Sequence, residues 1–287
     1  MKGLMRYLKR LILQKVNSLM FLTGIQELHD IIMESRYKEI MRESKNPLLH
    51  GSYYPGFSQI DEDSIIQKIT ERIFTNRDDL QSREFVELGV GDGTQNNTLA
   101  LLVDGWEGLW FGGQEMVLKN IPRLKFKKLW ITLESLKDDV IPEILNLKSL
   151  KLLSVDLDGN DYWIAKDLLA NNVSPDIWIQ EYNSIFPPHI RWTIPYDDSH
   201  ECKYDGYWGA SLGAFVDLFE SNGYFLVACN ASGANAFFVK DKFRDKFLDI
   251  PSEIGDLYMP NRAWLYKSKS KLSNRISLGI DPNKSRH

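Results

Sequence analysis

"FVELGVGDGTQNNT", residues 85–98, contains a short apolar run, a glycine-rich turn and the start of a helical pattern. Glycine lets a backbone turn tightly and lets a ligand approach closely. Ligands of open α/β sheets bind at the carboxyl ends of the strands. The stretch therefore predicts a strand, a ligand-binding turn and a helix. A P-loop is excluded, because no Lys-Ser or Lys-Thr pair follows the glycines.

The spacing of the glycines argues against a dinucleotide. Gly89, Gly91 and Gly93 take the first, third and fifth positions of the loop. Thr94 takes the sixth position, where a dinucleotide-binding loop has glycine. Glu87 ends the predicted strand, and an acid there favours a cationic or amino-bearing ligand and would repel a pyrophosphate.

Short apolar runs alternate with helical patterns along the middle of the chain, which predicts a mostly parallel sheet of the α/β class. Towards the end, a helix over residues 212–223 is followed by two apolar runs around a Ser-Gly turn, which predicts a C-terminal β-hairpin over residues 224–240. The earlier predicted strands are "FVEL" (85–88), "GLWF" (108–111), "KLWI" (128–131), "LKLLSVD" (150–156) and "DIWIQEY" (176–182).

The composition is that of an ordinary globular protein. The 287 residues are 43% apolar and 26% charged, with a net charge of −4, so no nucleic-acid partner is expected. Cys202 and Cys229 form neither a metal-binding spacing nor a disulfide framework, which favours the cytoplasm. The sequence contains no apolar run of the length that a membrane span needs.

Residues 1–50 are predicted to form a helical extension with a break near Thr23 and Gly24. Its first helix is basic and amphipathic, which fits packing on its own domain, self-association in a homo-oligomer, or peripheral contact with the inner face of a membrane. A main domain over residues 51–266 and a basic tail over residues 267–287 follow.

Seven sequence blocks occur in a serial order that resembles the FkbM-like family of class I S-adenosylmethionine-dependent methyltransferases, over roughly residues 53–240. The resemblance implies a Rossmann-like, seven-stranded class I methyltransferase sheet and methyl transfer to a hydroxyl of a sugar or glycan precursor. The blocks are "FSQIDEDSII", "FVELGVGDGTQNNT", "GWEGLWFGG", "LLSVDLDGNDYW", "IQEYNSIFPP", "YWGASLGAF" and "GYFLVACNASGANAFFV".

The resemblance also assigns S-adenosylmethionine to the glycine loop. It implies that the acid and the glycines of the loop hold the methionine part and approach the ribose. Residues that open the next helix assist, and Ser58 and Gln59 contact the cofactor from outside the sheet; a simple helix cap is the alternative for these two residues. The implied cofactor residues are Ser58, Gln59, Glu87, Gly89, Gly91, Gly93, Asn97, Thr98 and Asp156.

One position departs from the family pattern. An acid usually ends the second strand and grips the ribose hydroxyls, whereas Gly112 stands there in this chain. Glu115, three residues later, is the predicted substitute. If it does not substitute, the alternative is a catalytically degenerate binding module built on the same fold.

Oxygen-bearing side chains follow the fourth and fifth predicted strands. Asp156 ends one strand, and Glu181 and Asn183 project to the same side at the end of the next. These three residues predict a Mg²⁺ or Mn²⁺ site, since such ions prefer oxygen ligands. Direct hydrogen bonding to substrate hydroxyls or an amine, and a loop stabilised by its own Asp and Asn side chains, are the alternatives.

Methyl transfer to a hydroxyl also needs a group that takes the proton. Asp158 and Glu181 are the carboxylate candidates, and His189 and His200 are the imidazole candidates. The histidines flank residues 190–211, an aromatic- and acid-rich segment that is predicted to form a lid or an acceptor-binding insertion. An ordinary structured loop is the alternative.

Overall fold

The computed structural model describes residues 2–22, 24–52, 56–75, 83–117, 121–203 and 205–265. The chain divides into two compact units, residues 1–43 and 44–287. Residues 44–50, which the sequence placed in the N-terminal extension, thus belong with the second unit. The predicted basic tail, residues 267–287, lies outside the described residues.

The first unit consists of two helices, α1 (Lys2–Leu22) and α2 (Ile25–Glu43). Gly24 separates them with a φ of 71°, a backbone conformation that glycine favours after a helix. The predicted helical extension with a break at this point is therefore confirmed for the described residues. Among all the helices of the described residues, none is both long enough and apolar enough to cross a lipid bilayer.

The second unit contains a seven-stranded mixed sheet with the order β3-β2-β1-β4-β5-β7-β6. The first five strands pair in parallel, and β7 runs antiparallel to both β5 and β6. The protein is thus of the α/β class, consistent with a Rossmann-like fold. The strands are β1 (Glu84–Leu88), β2 (Glu107–Gly112), β3 (Leu124–Lys128), β4 (Leu150–Val155), β5 (Ile177–Glu181), β6 (Tyr224–Cys229) and β7 (Asn235–Lys240).

Helices connect the strands and cover the sheet. Because β1, β4 and β5 are covered on both faces, their residues are almost all buried, which explains their continuous apolar sequence. The helices are α3 (Glu62–Ile73), α4 (Leu99–Val103), α5 (Leu133–Ser135), α6 (Ile141–Leu145), α7 (Asp161–Ala170), α8 (Leu212–Glu220) and α9 (Ile254–Leu257), with a π-helical turn at Leu136–Val140 and 3₁₀ helices at Asp241–Phe247 and Ala263–Leu265.

The predicted third strand, residues 128–131, is wrong by several positions. The strand is Leu124–Lys128, at the edge of the sheet, where three lysines weaken its apolar signal. The apolar stretch that suggested a strand follows it: Leu129 donates its N–H to the Gly112 carbonyl, and Trp130 is 56% exposed.

Candidate functional site

A cavity of about 280 Å³ opens at the carboxyl ends of β1, β2 and β4. The strand order reverses between β1 and β4, which is the point where open α/β sheets bind their ligands. The cavity is lined by Gly89, Val90, Gly91, Gly112, Gly113, Gln114, Leu129, Trp130, Ile131, Asp156, Leu157, Asp158, Asn160, His200, Glu201 and Cys202.

The three glycines of the loop have different structural roles. Gly89 has a φ of 92°, and a Cβ there would lie 1.6 Å from the Asp156 carbonyl oxygen, so only glycine fits between β1 and β4. At Gly91, a Cβ would meet only Gln114 Nε2 among the described atoms, at 3.9 Å, so this glycine borders the open cavity. Gly93 turns the chain with a φ of 83° and is not part of the cavity lining.

Glu87 is buried, and its carboxylate accepts hydrogen bonds from the backbone N–H groups of Asn97 and Thr98 and from the Thr98 hydroxyl. Burial raises the pKa of Glu87 to about 6. Asn97 also donates to Ser154 Oγ, at 3.1 Å, and Thr98 accepts from the Trp110 indole. Glu87, Asn97 and Thr98 were predicted to bind the cofactor. They instead form a buried hydrogen-bond network behind the loop and are not among the cavity-lining residues.

The missing acid of the second strand has a steric explanation. A Cβ at Gly112 would lie 2.1 Å from the Val90 carbonyl oxygen, so no side chain fits there. The predicted substitute, Glu115, does not line the cavity: its side chain is 75% exposed and its carboxylate lies 2.6 Å from Lys128 Nζ. Gln114, its neighbour, does line the cavity and offers both an amide donor and an amide acceptor.

Trp130 is an aromatic wall of the cavity that sequence reasoning missed, because its apolar neighbours suggested a strand. Its indole N–H donates to the Asp198 carbonyl at 3.1 Å, which fixes the ring. The ring approaches Gly113 so closely that a Cβ there would lie 3.0 Å from it. A flat ligand has room to stack on the exposed part of this ring.

Three carboxylates meet at the ends of β4 and β5. Asp156, Asp158 and Glu181, here called the acidic triad, place one oxygen each within 4.8 Å of one another. Desolvation raises the pKa of Asp156 well above its ordinary range, and the charges of Asp158 and Asp161 add to the effect. Desolvation and then the Asp156 charge also raise the pKa of Glu181, which is hydrogen-bonded to Asp156. The two groups therefore tend to share a proton, unless a cation replaces it.

The loop between the triad residues is held by Asp161. Its carboxylate accepts the N–H groups of Leu157, at 2.8 Å, and Gly159, at 2.9 Å, and burial raises its pKa to about 6. Asp158 has a φ of 55°, and its N–H donates to Glu181 Oε2 at 3.0 Å. Asp161 thus stabilises the turn, while Asp158 is exposed and lines the cavity.

Asn183 does not join the triad, so its prediction as a metal ligand is not supported. Its side-chain amide donates to the carbonyls of Gly206 and Trp208, at 3.0 and 2.9 Å, and its oxygen accepts the Ile185 N–H. All three interactions hold loop backbone. Asn183 lies two residues after Glu181, the last residue of β5, as the sequence predicted. Its side-chain oxygen and nitrogen, however, are hydrogen-bonded to the loop that follows β5.

The two histidines differ in position. His200 lines the cavity beside Gly159, where a Cβ would lie 2.4 Å from its ring, so the glycine makes room for the imidazole. Its Nε2 is buried and has no hydrogen-bond partner among the described residues. His189 is exposed and outside the cavity lining, which removes it from the site.

Ser58 and Gln59 are also outside the cavity lining. Helix α3 begins at Glu62, later than the sequence suggested, and Ser58 is tied to Asp63. The Asp63 carboxylate accepts the N–H groups of Phe57 and Ser58, and Ser58 Oγ accepts the Asp63 N–H at 3.3 Å. Ser58 therefore has a capping role near this helix, the alternative named for it.

We expect Asp63→Asn to stabilise the protein at neutral pH and to have no effect near pH 4. Burial raises the pKa of Asp63 from its ordinary value of 3.8 to about 7. Between these values the folded chain keeps a proton that the unfolded chain has lost, so the free energy of unfolding falls as pH rises. Asparagine keeps the accepting oxygen and does not titrate, so the free energy of unfolding no longer falls with pH. The expected gain at neutral pH is roughly 2–4 kcal/mol. Urea unfolding from pH 4 to pH 8 measures the difference.

Asp249→Asn is the control of opposite sign. Its hydrogen bond to Arg72 lowers the pKa of Asp249, so this variant should be the less stable one at neutral pH and approach the wild type as pH falls through the lowered pKa. Parallel pH profiles for Asp63→Asn and the wild type would contradict the assignment.

A scan of the chain against protein-family models finds no match, and a search of curated proteins finds none either. The functional evidence is therefore the sequence and geometry of the chain itself.

Proposed function

We propose that the protein is an S-adenosylmethionine-dependent O-methyltransferase of the FkbM-like group, with a sugar hydroxyl as the methyl acceptor. The observation that carries the proposal is the cavity between the glycine loop and the acidic triad, at the strand-order reversal of a sheet that ends in an antiparallel pair. In the sheet of a dinucleotide-binding domain, the sixth strand lies directly beside the fifth. Here β7 separates them, as expected if β6 and β7 form the C-terminal hairpin of a class I methyltransferase sheet.

Three features of the cavity support S-adenosylmethionine as the cofactor. Gly91 leaves open space beside the loop, Gln114 provides an amide for ribose hydroxyls, and the Trp130 ring provides a face for the adenine. When bound, S-adenosylmethionine supplies the methyl group on its sulfonium. The acidic triad reaches the cavity through Asp156 and Asp158, and its net negative charge favours a cationic sulfonium there.

The remaining requirement is to bind the acceptor hydroxyl and remove its proton. Asp158 and Glu181 are the carboxylate candidates, because desolvation raises their pKa values and a carboxylate with a raised pKa binds a proton more strongly. His200 is the other candidate base, since it lines the cavity and its Nε2 has no hydrogen-bond partner among the described residues. Positioning of the two reactants by the loop, the triad and the 197–202 segment supplies the other part of catalysis.

The acidic triad also fits a divalent cation. Three carboxylate oxygens within 4.8 Å of one another are the ligand type that Mg²⁺ and Mn²⁺ prefer, with water completing the shell. Asp156, Asp158 and Glu181 would hold the ion, which would lower the pKa of a bound hydroxyl. Direct hydrogen bonding of the acceptor to the same oxygens is the alternative.

S-adenosylhomocysteine binding tests the proposal. We expect micromolar affinity by calorimetry, and a loss of about tenfold in Gln114→Ala, because one hydrogen bond to a ligand is worth roughly 1–1.5 kcal/mol. Glu115→Ala is the matched control: it changes the adjacent residue, which faces solvent, and should bind as the wild type does. Weakening by Glu115→Ala alone would restore the sequence-based assignment, and no binding to the wild type would contradict the proposed function.

A catalytically degenerate binding module is the second candidate, favoured by the lack of an acid at Gly112. It would bind S-adenosylhomocysteine and methylate nothing in an acceptor panel. The steric reason for Gly112 weakens this candidate, because the close approach to Val90 demands glycine whether or not the protein is an enzyme. Membrane contact or self-association through the N-terminal helices, and the absence of a nucleic-acid partner, remain predictions.

A further inference from the structure

We propose that Phe186, Trp192 and Tyr207, here called the aromatic platform, bind a pyranose ring of the acceptor by stacking. This inference rests on the proposed function, since it places the acceptor beside the acidic triad, on residues outside the cavity lining. It concerns the segment after β5, which the sequence predicted to be a lid or an acceptor-binding insertion with aromatic residues suited to stacking on a sugar ring, an ordinary structured loop being the alternative.

The rings of the platform form one connected surface. Phe186 and Trp192 stack with centroids 4.4 Å apart and planes 29° from parallel. Tyr207 meets Trp192 edge to face, with centroids 5.9 Å apart, and remains 53% exposed. Ile185, beside the stack, is 54% exposed. A contiguous exposed apolar surface of this kind is typical of a ligand-binding site.

The platform is held in place by its backbone. Trp192 donates its N–H to Ser211 Oγ at 2.9 Å, and Ser211 returns a backbone hydrogen bond to the Trp192 carbonyl at 2.8 Å. Ser211 also caps helix α8 through Ala214. A ring fixed in this way loses little conformational entropy when a ligand stacks on it.

The same segment lies against the loop that carries the acidic triad. Gly209 donates its N–H to the Gly159 carbonyl at 3.0 Å, and Gly159 directly follows Asp158. On the other side, the Asn183 amide holds the carbonyls of Gly206 and Trp208. Tyr207 is thus fixed between the loops that follow β4 and β5.

The chemistry of the surroundings points to a polyhydroxylated ring. A pyranose has an apolar C–H face, which suits an aromatic ring, and an edge of hydroxyl donors. Asp158 and Glu181 are acceptors on the triad side.

Saturation-transfer NMR tests the platform, with the methyl glycosides of glucose, galactose and mannose as probes. We expect the wild type to transfer saturation to ring protons of at least one probe, with and without S-adenosylhomocysteine. Tyr207→Ala and Trp192→Ala should each lower the affinity for that probe about tenfold, which is a typical result when an aromatic contact is truncated. Tyr207→Phe keeps the ring and should stay within about twofold of the wild type.

Phe243→Ala is the control for loss of an aromatic side chain, because it follows β7, which runs antiparallel to β5 and therefore ends at the opposite end of the strands. Equal probe binding by Tyr207→Ala and the wild type overturns the platform, as does failure of every glycoside to bind. Tyr207-dependent binding of adenosine in place of the glycosides would make the surface a nucleobase site and overturn it too. A wild type that binds a glycoside through Tyr207 and yet no S-adenosylhomocysteine would refute the proposed function while keeping the platform.

Discussion

Glu181→Gln should lower methyl transfer by about 10³-fold and at the same time make the protein more stable, by about 1 kcal/mol. The glutamine oxygen still accepts the Asp158 N–H, so the loop should stay in place. The substitution removes one of two carboxyl groups that lie buried against each other, and with it the repulsion that raises their pKa values. Asp156→Asn should act in the same direction. Opposite changes in activity and stability are the expected signature of a functional site. If the two carboxylates had only a structural role, the substitution would lower activity and stability together.

The rates come from transfer of labelled methyl groups to a panel of monosaccharides, and the stabilities from urea unfolding. Glu134→Gln, a change of an exposed carboxylate on α5, is the control and should alter neither quantity. Mn²⁺ should raise the melting temperature of the wild type and not that of Glu181→Gln, since only the wild type retains the full ligand set. No response of the wild type to Mn²⁺ would leave direct hydrogen bonding as the role of the triad. Near-wild-type rates in both Glu181→Gln and Asp156→Asn would refute the site.

Gly89→Ala should destabilise the fold by more than about 4 kcal/mol, enough to abolish soluble expression of a marginally stable domain. The new methyl group would lie 1.6 Å from the Asp156 carbonyl oxygen, which is backbone and has no rotamer to change. A φ of 92° adds strain for any residue other than glycine. Relief would require β1 and β4 to separate at the centre of the sheet.

Gly91→Ala is the matched control, two residues away in the same loop. Its added methyl would meet only Gln114 Nε2 among the described atoms, at 3.9 Å, so the variant should fold with a stability within about 1 kcal/mol of the wild type. Because that methyl projects beside the cavity, S-adenosylhomocysteine should bind less tightly. Soluble yield, urea unfolding and calorimetry of the two variants measure the contrast. Equal stability of Gly89→Ala and the wild type would contradict the strand-packing role given to Gly89.

Local patterns in the sequence were enough to predict much of the sheet and the position of the site. Apolar runs predicted β1, β2, β4 and β5 to within a residue or two, because strands covered on both faces have continuous apolar sequences. Strand β3 was misplaced, since an edge strand carries charges and the apolar residues after it line the cavity instead. Asp156 and Glu181 were expected to meet because parallel strands end at one edge, and they do.

The sequence by itself determined the α/β class, the glycine turn and the chain positions of the acids, because these depend on backbone conformation and on the period of apolar residues. Only the tertiary structure decided which polar groups remain available to a ligand. Glu87 and Asn183 are occupied by hydrogen bonds to loop residues outside their own strands, Glu115 pairs with Lys128, and Gln114 and Trp130 line the cavity. Hydrogen-bond partners and steric approach join residues far apart in sequence, and no local pattern encodes them.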